Sequence, residues 1–598
     1  MEKIKQREEI ALEDKWAIED LYPSDEAWEA DFETLKNAKE TLSSYAGNLA
    51  NAKNLCDYLQ TMETTDETIE RLAHYCMRKA DEDTRKSQYQ AMSGKFMSAM
   101  VEISAACSFE TPEIMAITDD QLTAFYQENP NLERYRRYLT DLRRMKEHTL
   151  SSQEEKLLAA AGEMAQAPDN IYSLFADADM TFPDAVDADG KTHPLSQGTY
   201  IACMESADRV LRKSAYENLY DSFGKFKNTA AGLLDAQNKQ LKFYATARRY
   251  SSAFDAALDR TNVPTSVYLN LIEAVHNNAD KMHRYIRLRK KLLGLDELHF
   301  YDIYTPLVKN VDKKIPFAQA KQTVYDALAP LGEDYRTILK EGFENRWIDV
   351  YQNEGKRSGA YSAGASVHPY VLLNYTGTLD SQFTLAHEMG HALHSYLSNR
   401  YQNPIDSSYV IFVAEVASTC NEALLMEHLL AKTTDKKERA YLINHFLDQF
   451  RGTIYRQTMF AEFELNIGKM VAEGKTLTAD TLCQEYRRLN ELYYGPDVQV
   501  DDRIALEWIR IPHFYYNHYV FQYATGYAAA IALSRRILAE GEPAVKDYIT
   551  FLSGGRTKSP IDLLKGAGVD MTGPEPVEKA LELFGQLLDE MEQLMEEA

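Results

Sequence analysis

LAHEMGHALH, Leu385 to His394, carries His387-Glu388-x-x-His391 among the apolar residues Phe383, Leu385, Ala386, Met389, Ala392, Leu393, Tyr396 and Leu397. A helix this apolar is buried on most sides. Imidazoles and a carboxylate buried there without partners cost on the order of several kcal/mol. A metal ion removes that cost, and His387 and His391, one turn apart on one face, both reach the same ion. Thr378 and Asp380 are candidate N-caps, Asn399 and Pro404 lie at or beyond the far end, and no proline interrupts. The stretch therefore predicts a zinc-binding helix; the alternative is a pair of hydrogen-bonded core histidines.

Directly before it, from Arg346 to Gly377, RWIDVY, KRSGAYSAG and HPYVLLNYTG are the most strand-like sequences in the chain. Strands so placed border an active cleft and can offer an edge to an extended peptide; the alternative is a sheet that only supports the helix. After it, Asp406, Glu415, Glu422 and Glu427 are candidates for the third ligand that a catalytic zinc needs. The metzincin spacing fails, because His394 and Leu397 occupy the positions that pattern gives to Gly and His. Positions some twenty residues beyond His391 hold Val410 and Ile411, which do not bind zinc. Glu415 and Glu422, seven apart in FVAEVASTCNEALL, share a helix face. One can ligate while the other accepts an N–H from a zinc-bound imidazole, and position alone does not say which.

HEMGH followed by FVAEVASTCNE resembles the M3 (thimet oligopeptidase) family of zinc metallopeptidases, most closely its oligoendopeptidase F branch. GAYSAG, PYVLLNY and IPHFYYNHYVFQYATGY agree with that branch, over about residues 200 to 590 well and the earlier part more loosely. The resemblance implies Glu415 as third ligand to one Zn2+ and Glu422 as its supporting carboxylate. It also implies a mainly α fold, a two-lobed helical ellipsoid with a deep channel that admits short peptides, with the small sheet beside the HExxH helix. Zinc lowers the pKa of its bound water to about 7. Glu388, next to His387, is the expected general base that takes that water's proton and later hands it to the leaving amine.

His513, Tyr516, Tyr519 or Val520, Tyr523 and Tyr527 recur at helical spacing near the C-terminus. Such a stripe is ordinarily core. The tetrahedral intermediate of peptide hydrolysis nevertheless needs donors for its oxyanion, and phenols or an imidazole supply them. In the resembled family a His and two tyrosines seven residues apart do so. Tyr516 and Tyr523 have that separation, their offset from His513 is shorter than in the thimet branch, and Tyr519 competes for either role. His368 and His518 are read as packing or surface residues, and His394 as a helix-packing or substrate-side residue.

Elsewhere the pattern is helical. Ser24 caps a helix with Trp28, Phe32, Leu35, Leu42 and Tyr45 on one face and Gly47 as its stop; Ser151 and Ser152 open another. MTFPDAV and KTHPLS flank Asp189-Gly190, a hairpin signal. LHFYDIYTPLV from Leu298 reads as a strand or extended segment. The expected division is an N-terminal helical lobe, 1–200, with a β insertion near 180–196, and a catalytic domain, 201–598.

Composition narrows the function classes. The net charge of −25 argues against nucleic-acid partners and anionic membranes. The charged start lacks an apolar core segment, no run of about 18 apolar residues appears, and six scattered cysteines without a CxxC pair suit a reducing compartment. The expectation is a cytoplasmic zinc endopeptidase acting on internal bonds of short oligopeptides. The rivals are a zinc carboxypeptidase, for which no dedicated terminus-binding cluster is evident, and a non-catalytic peptide-binding protein with structural zinc.

Overall fold

The computed structural model describes residues 4–308 and 314–596. Helices dominate, as expected. The strands among the described residues are short: β1 (Ala185–Val186), β2 (Thr192–His193), β3 (Leu298–His299), β4 (Ile348–Asp349), β5 (Tyr361–Ala363), β6 (Tyr370–Leu372) and β7 (Val498–Gln499). The chain packs as two compact units, one of Met1–Thr149, Lys313–Leu425 and Leu533–Gly568, the other of Leu150–Asp312, Met426–Ala532 and Val569–Ala598. Residue 200, where a linear boundary is expected, falls inside the second unit, because each unit gathers segments by packing rather than by contiguity. Among the described residues no helix is long and apolar enough to cross a membrane.

In the first unit the Ser24 hydroxyl accepts the Ala27 N–H at 3.3 Å and starts the Asp25–Ser43 helix, which buries Trp28, Phe32, Leu35 and Leu42. Trp28 and Phe32 stack at 5.1 Å, and their core continues through the Ala52–Glu82 helix into Tyr370 and Leu372 of β6. The sheet order is β4-β6-β5, with β4 parallel and β5 antiparallel to β6. All three strands fall where the sequence is most strand-like. Asp349 of β4 is fully buried; Arg7 Nη1 at 2.8 Å and Lys356 Nζ at 2.7 Å compensate its charge and tie the N-terminal segment to the sheet.

In the second unit β1 and β2 form the predicted hairpin, with Gly190 at φ +78°. Asp187 secures the loop by accepting the N–H groups of Asp189 and Lys191 at 3.1 and 2.8 Å. The stretch from Leu298 departs from expectation. Only Leu298 and His299 are strand, paired in parallel with β7, and Phe300–Asp302 is a 3-10 turn. The buried Asp302 carboxylate imposes that turn: it accepts the His299 N–H at 3.1 Å and two guanidinium contacts at 2.9 Å from Arg209 and Arg212.

Candidate metal centre

Thr378 caps the Leu379–Tyr401 helix by accepting the Ser381 N–H at 3.2 Å. Leu385, Ala386, Met389, Ala392 and Leu393 are fully buried along it. The Ile411–Lys432 helix packs closely against it: a Cβ on Gly390 would lie 2.5 Å from Ser418 Cα and 2.7 Å from Ala417 O. Asn421 fixes the register, donating to Ala386 O at 3.1 Å while Tyr335 donates to Asn421 Oδ1 at 3.0 Å.

That register sets Glu415 Oε2 3.5 Å from His387 Nε2 and 3.7 Å from His391 Nε2. One atom from each of the three residues lies within 4.8 Å of the others, which makes His387, His391 and Glu415 the one such donor cluster found among the described residues. Glu422, about two turns beyond Glu415 along the same helix, has its Oε1 2.5 Å from His387 Nδ1. The His391 ring bonds the Ala414 backbone. Both imidazoles are thus held from behind, with their Nε2 atoms turned toward Glu415. Two imidazoles and a carboxylate so oriented can hold one metal ion.

The electrostatics separate the two rings. Burial lowers the His387 pKa, but the hydrogen bond and charge of Glu422, with Glu388 and Glu415, push it up to about 9. Burial, then the neighbouring His387, takes His391 down to about 3. Glu388, 6 % exposed, is pushed up to about 7 by burial, against the pull of His387.

A model of peptidase family M3 matches residues 202–583, and an oligopeptidase F model matches residues 113–182. The chain is 46% identical to oligopeptidase PepF of Bacillus subtilis over 98% of its own length and 88% of that protein. The chain belongs to peptidase family M3. Within the family it stands with oligopeptidase F. An oligoendopeptidase F homolog of Lactococcus lactis is 39% identical over 99% of both chains. The solved oligoendopeptidase F of Enterococcus faecium superposes with a TM-score of 0.76 at 36% identity, covering 96% of this chain and all of that one. This M3 chain is accordingly a peptidase, and its family implies a metal cofactor.

The remaining predicted residues of this M3 peptidase lie in the second unit. His513, Tyr516, Tyr519 and Tyr523 form one aromatic cluster, with ring centroids 5.5, 6.2 and 6.0 Å from His513. They do not share one helix. Pro512–Tyr515 is a 3-10 turn, residues 516–520 are irregular, and the α-helix begins at Phe521. Asn517 and His518 both take φ +55°. The His518 N–H bonds Glu464 at 3.1 Å, a long-range contact that no local pattern announces. Tyr527 packs in the core against Phe450.

His394 is fully buried and stacks on Tyr409 at 3.7 Å, so it is a packing residue. His368 stacks on Trp347, and His518 packs on Tyr268. All six cysteines are free thiols, with Cys420 fully buried. The reading by motif missed Gly390, whose signal is a glycine inside an otherwise uninterrupted helix. It also missed a group of arginines, Arg451, Arg456 and Arg510, that line one cavity of the second unit.

Proposed function

We propose that this chain is a zinc-dependent endopeptidase that hydrolyses internal bonds of short oligopeptides in the cytoplasm. The convergence of His387 Nε2, His391 Nε2 and Glu415 Oε2 within 4.8 Å, beside a buried Glu388, carries the reading. His387, His391 and Glu415 would hold the ion, and Glu422 would orient His387 through Nδ1. A zinc ion there supplies Lewis acidity and makes a water molecule acidic near neutral pH. Glu388 accepts the proton of the attacking water and returns it to the departing amine. Burial favours that task, since a carboxyl near pH 7 both takes and gives a proton there.

His513 with Tyr516, Tyr519 and Tyr523 are assigned as the donors to the oxyanion, on the family's pattern and on their grouping around one imidazole. The edge strand β5, paired only with β6 among the described residues, is assigned to an extended substrate backbone. Free thiols throughout support a reducing compartment.

The test is hydrolysis of peptides blocked at both ends, before and after chelation and zinc repletion. Cleavage that disappears with chelator and returns with zinc supports the endopeptidase. Release of single C-terminal residues with no internal cleavage would favour the carboxypeptidase, and chelator-resistant turnover would overturn the zinc reading.

A further inference from the structure

The second unit contains a cavity of about 370 Å³ lined by Arg451, Arg456, Arg510, Tyr304, Gln457 and His513. These three arginines line one cavity of a chain whose net charge is −25. Their arrangement is built by the backbone. Arg451–Tyr455 is a π-helical turn leading into the Arg456–Ala472 helix. In an α-helix residues five apart point roughly 140° away from each other. The i→i+5 bonding of a π turn brings such residues toward one face, and turns of this kind recur at functional sites. Each guanidinium is also braced by a ring: Arg451 over Tyr304 at 4.7 Å, Arg456 over Phe460 at 4.3 Å and Arg510 over Tyr200 at 4.9 Å.

The protein's own carboxylates do not use up this charge. Asp448 accepts Arg451 Nε at 3.1 Å, and Glu507 accepts Arg456 Nη2 at 2.7 Å while also taking the Tyr486 hydroxyl at 2.6 Å. Arg510 comes no closer to Glu507 than 3.6 Å, and its buried Nε has no partner. Arg451 is 5 % exposed, yet its Nη1 also lacks a partner. Three guanidiniums thus share two acids already engaged, which leaves an excess positive charge and two unpartnered donors, Arg510 Nε and Arg451 Nη1. A part-buried charge that only shares a counter-ion is poorly compensated, and a planar carboxylate matches the guanidinium fork.

The geometry points to this cavity as a binding site for a carboxylate of the peptide substrate, with Arg510 as its main contact and Arg451 and Arg456 setting the field. The ligand's identity as substrate rests on the proposed peptidase function. The shared chemistry is a carboxylate, from either the peptide C-terminus or an Asp or Glu side chain.

Equilibrium binding to the Glu388→Gln protein, measured by calorimetry, tests the site without turnover. The probes are one peptide with a free C-terminus, its C-terminal amide, and that amide with one internal Gln replaced by Glu. Loss of one charge-assisted contact, by amidation or by Arg510→Gln, is expected to weaken binding about tenfold or more. Amidation should then add nothing in the Arg510→Gln background, because both changes remove the same contact. Tighter binding of the Glu-bearing amide, lost with Arg510→Gln, would assign the carboxylate to a side chain; tighter binding of the free acid alone assigns it to the terminus. The peptide arms need no arginine variant, so a folding defect does not obscure them. Equal affinity for all three probes overturns the site. Normal hydrolysis by the Glu388→Gln protein would instead overturn the base assignment, and the same three probes on chelated protein then decide the site by the same criterion.

Discussion

Gly390 of the HExxH helix lies against the backbone of Ser418, so close that a Cβ would sit 2.5 Å from Ser418 Cα. No side-chain rearrangement relieves such a contact, because the neighbour is main chain. Gly390→Ala must therefore push the two helices apart and carry Glu415 and Glu422 away from the imidazoles. Overpacking of this kind costs about 1–3 kcal/mol. The variant should show a lower Tm and a large drop in bound zinc by elemental analysis; full zinc occupancy at an unchanged Tm would refute the role.

Glu388→Gln keeps the size of the side chain and removes the base. Zinc content should stay at the wild-type level while kcat falls by about 10²–10⁴. A variant with near-normal peptidase rate would sink the assignment.

Glu415 and Glu422 should separate by what they lose. Glu415→Gln removes a ligand, and the zinc content of the purified protein should collapse. Glu422→Gln loosens the hold on His387 Nδ1 and should weaken zinc affinity by about 10–100-fold, visible in chelator competition. Identical affinities for wild type and both variants would contradict the ligand set.

The tyrosines call for a Phe scan. Replacing the true oxyanion donor among Tyr516, Tyr519 and Tyr523 should cost about 10²–10³ in kcat with KM little changed. Uniformly small effects would return the cluster to a packing role.

Glu464 predicts a pH effect on stability. Burial pushes its carboxyl up to about 8, with one hydrogen bond from the His518 N–H and Oε2 unpartnered. In the folded chain it keeps its proton up to that pH, whereas in the unfolded chain it gives it up near 4.5. Between those values unfolding releases a proton, so this group makes stability fall as pH rises. Glu464→Gln should therefore raise Tm by a few degrees at pH 8 and by much less at pH 5. An equal change at both pH values would contradict a buried protonated carboxyl.

Elements held by forces that act over a few residues follow from the chain's local pattern. The Thr378 cap and the apolar run around His387 specify the metal helix, Ser24 and its spaced apolar residues specify the first long helix, and Asp189-Gly190 specifies the hairpin. The pair of imidazoles one turn apart is such a local fact too. Tertiary structure decided the rest. Glu415 and Glu422 are equivalent by periodicity, and only the approach of Ser418 to Gly390 sets one opposite both Nε2 atoms and the other behind His387. The break at Asn517 and His518 answers to Glu464, and the cavity at Arg451 depends on Arg510, both more than fifty residues distant. Helical periodicity and capping are written between near neighbours. The register of one helix against another is set by shape and by buried polar pairing, which no local pattern records.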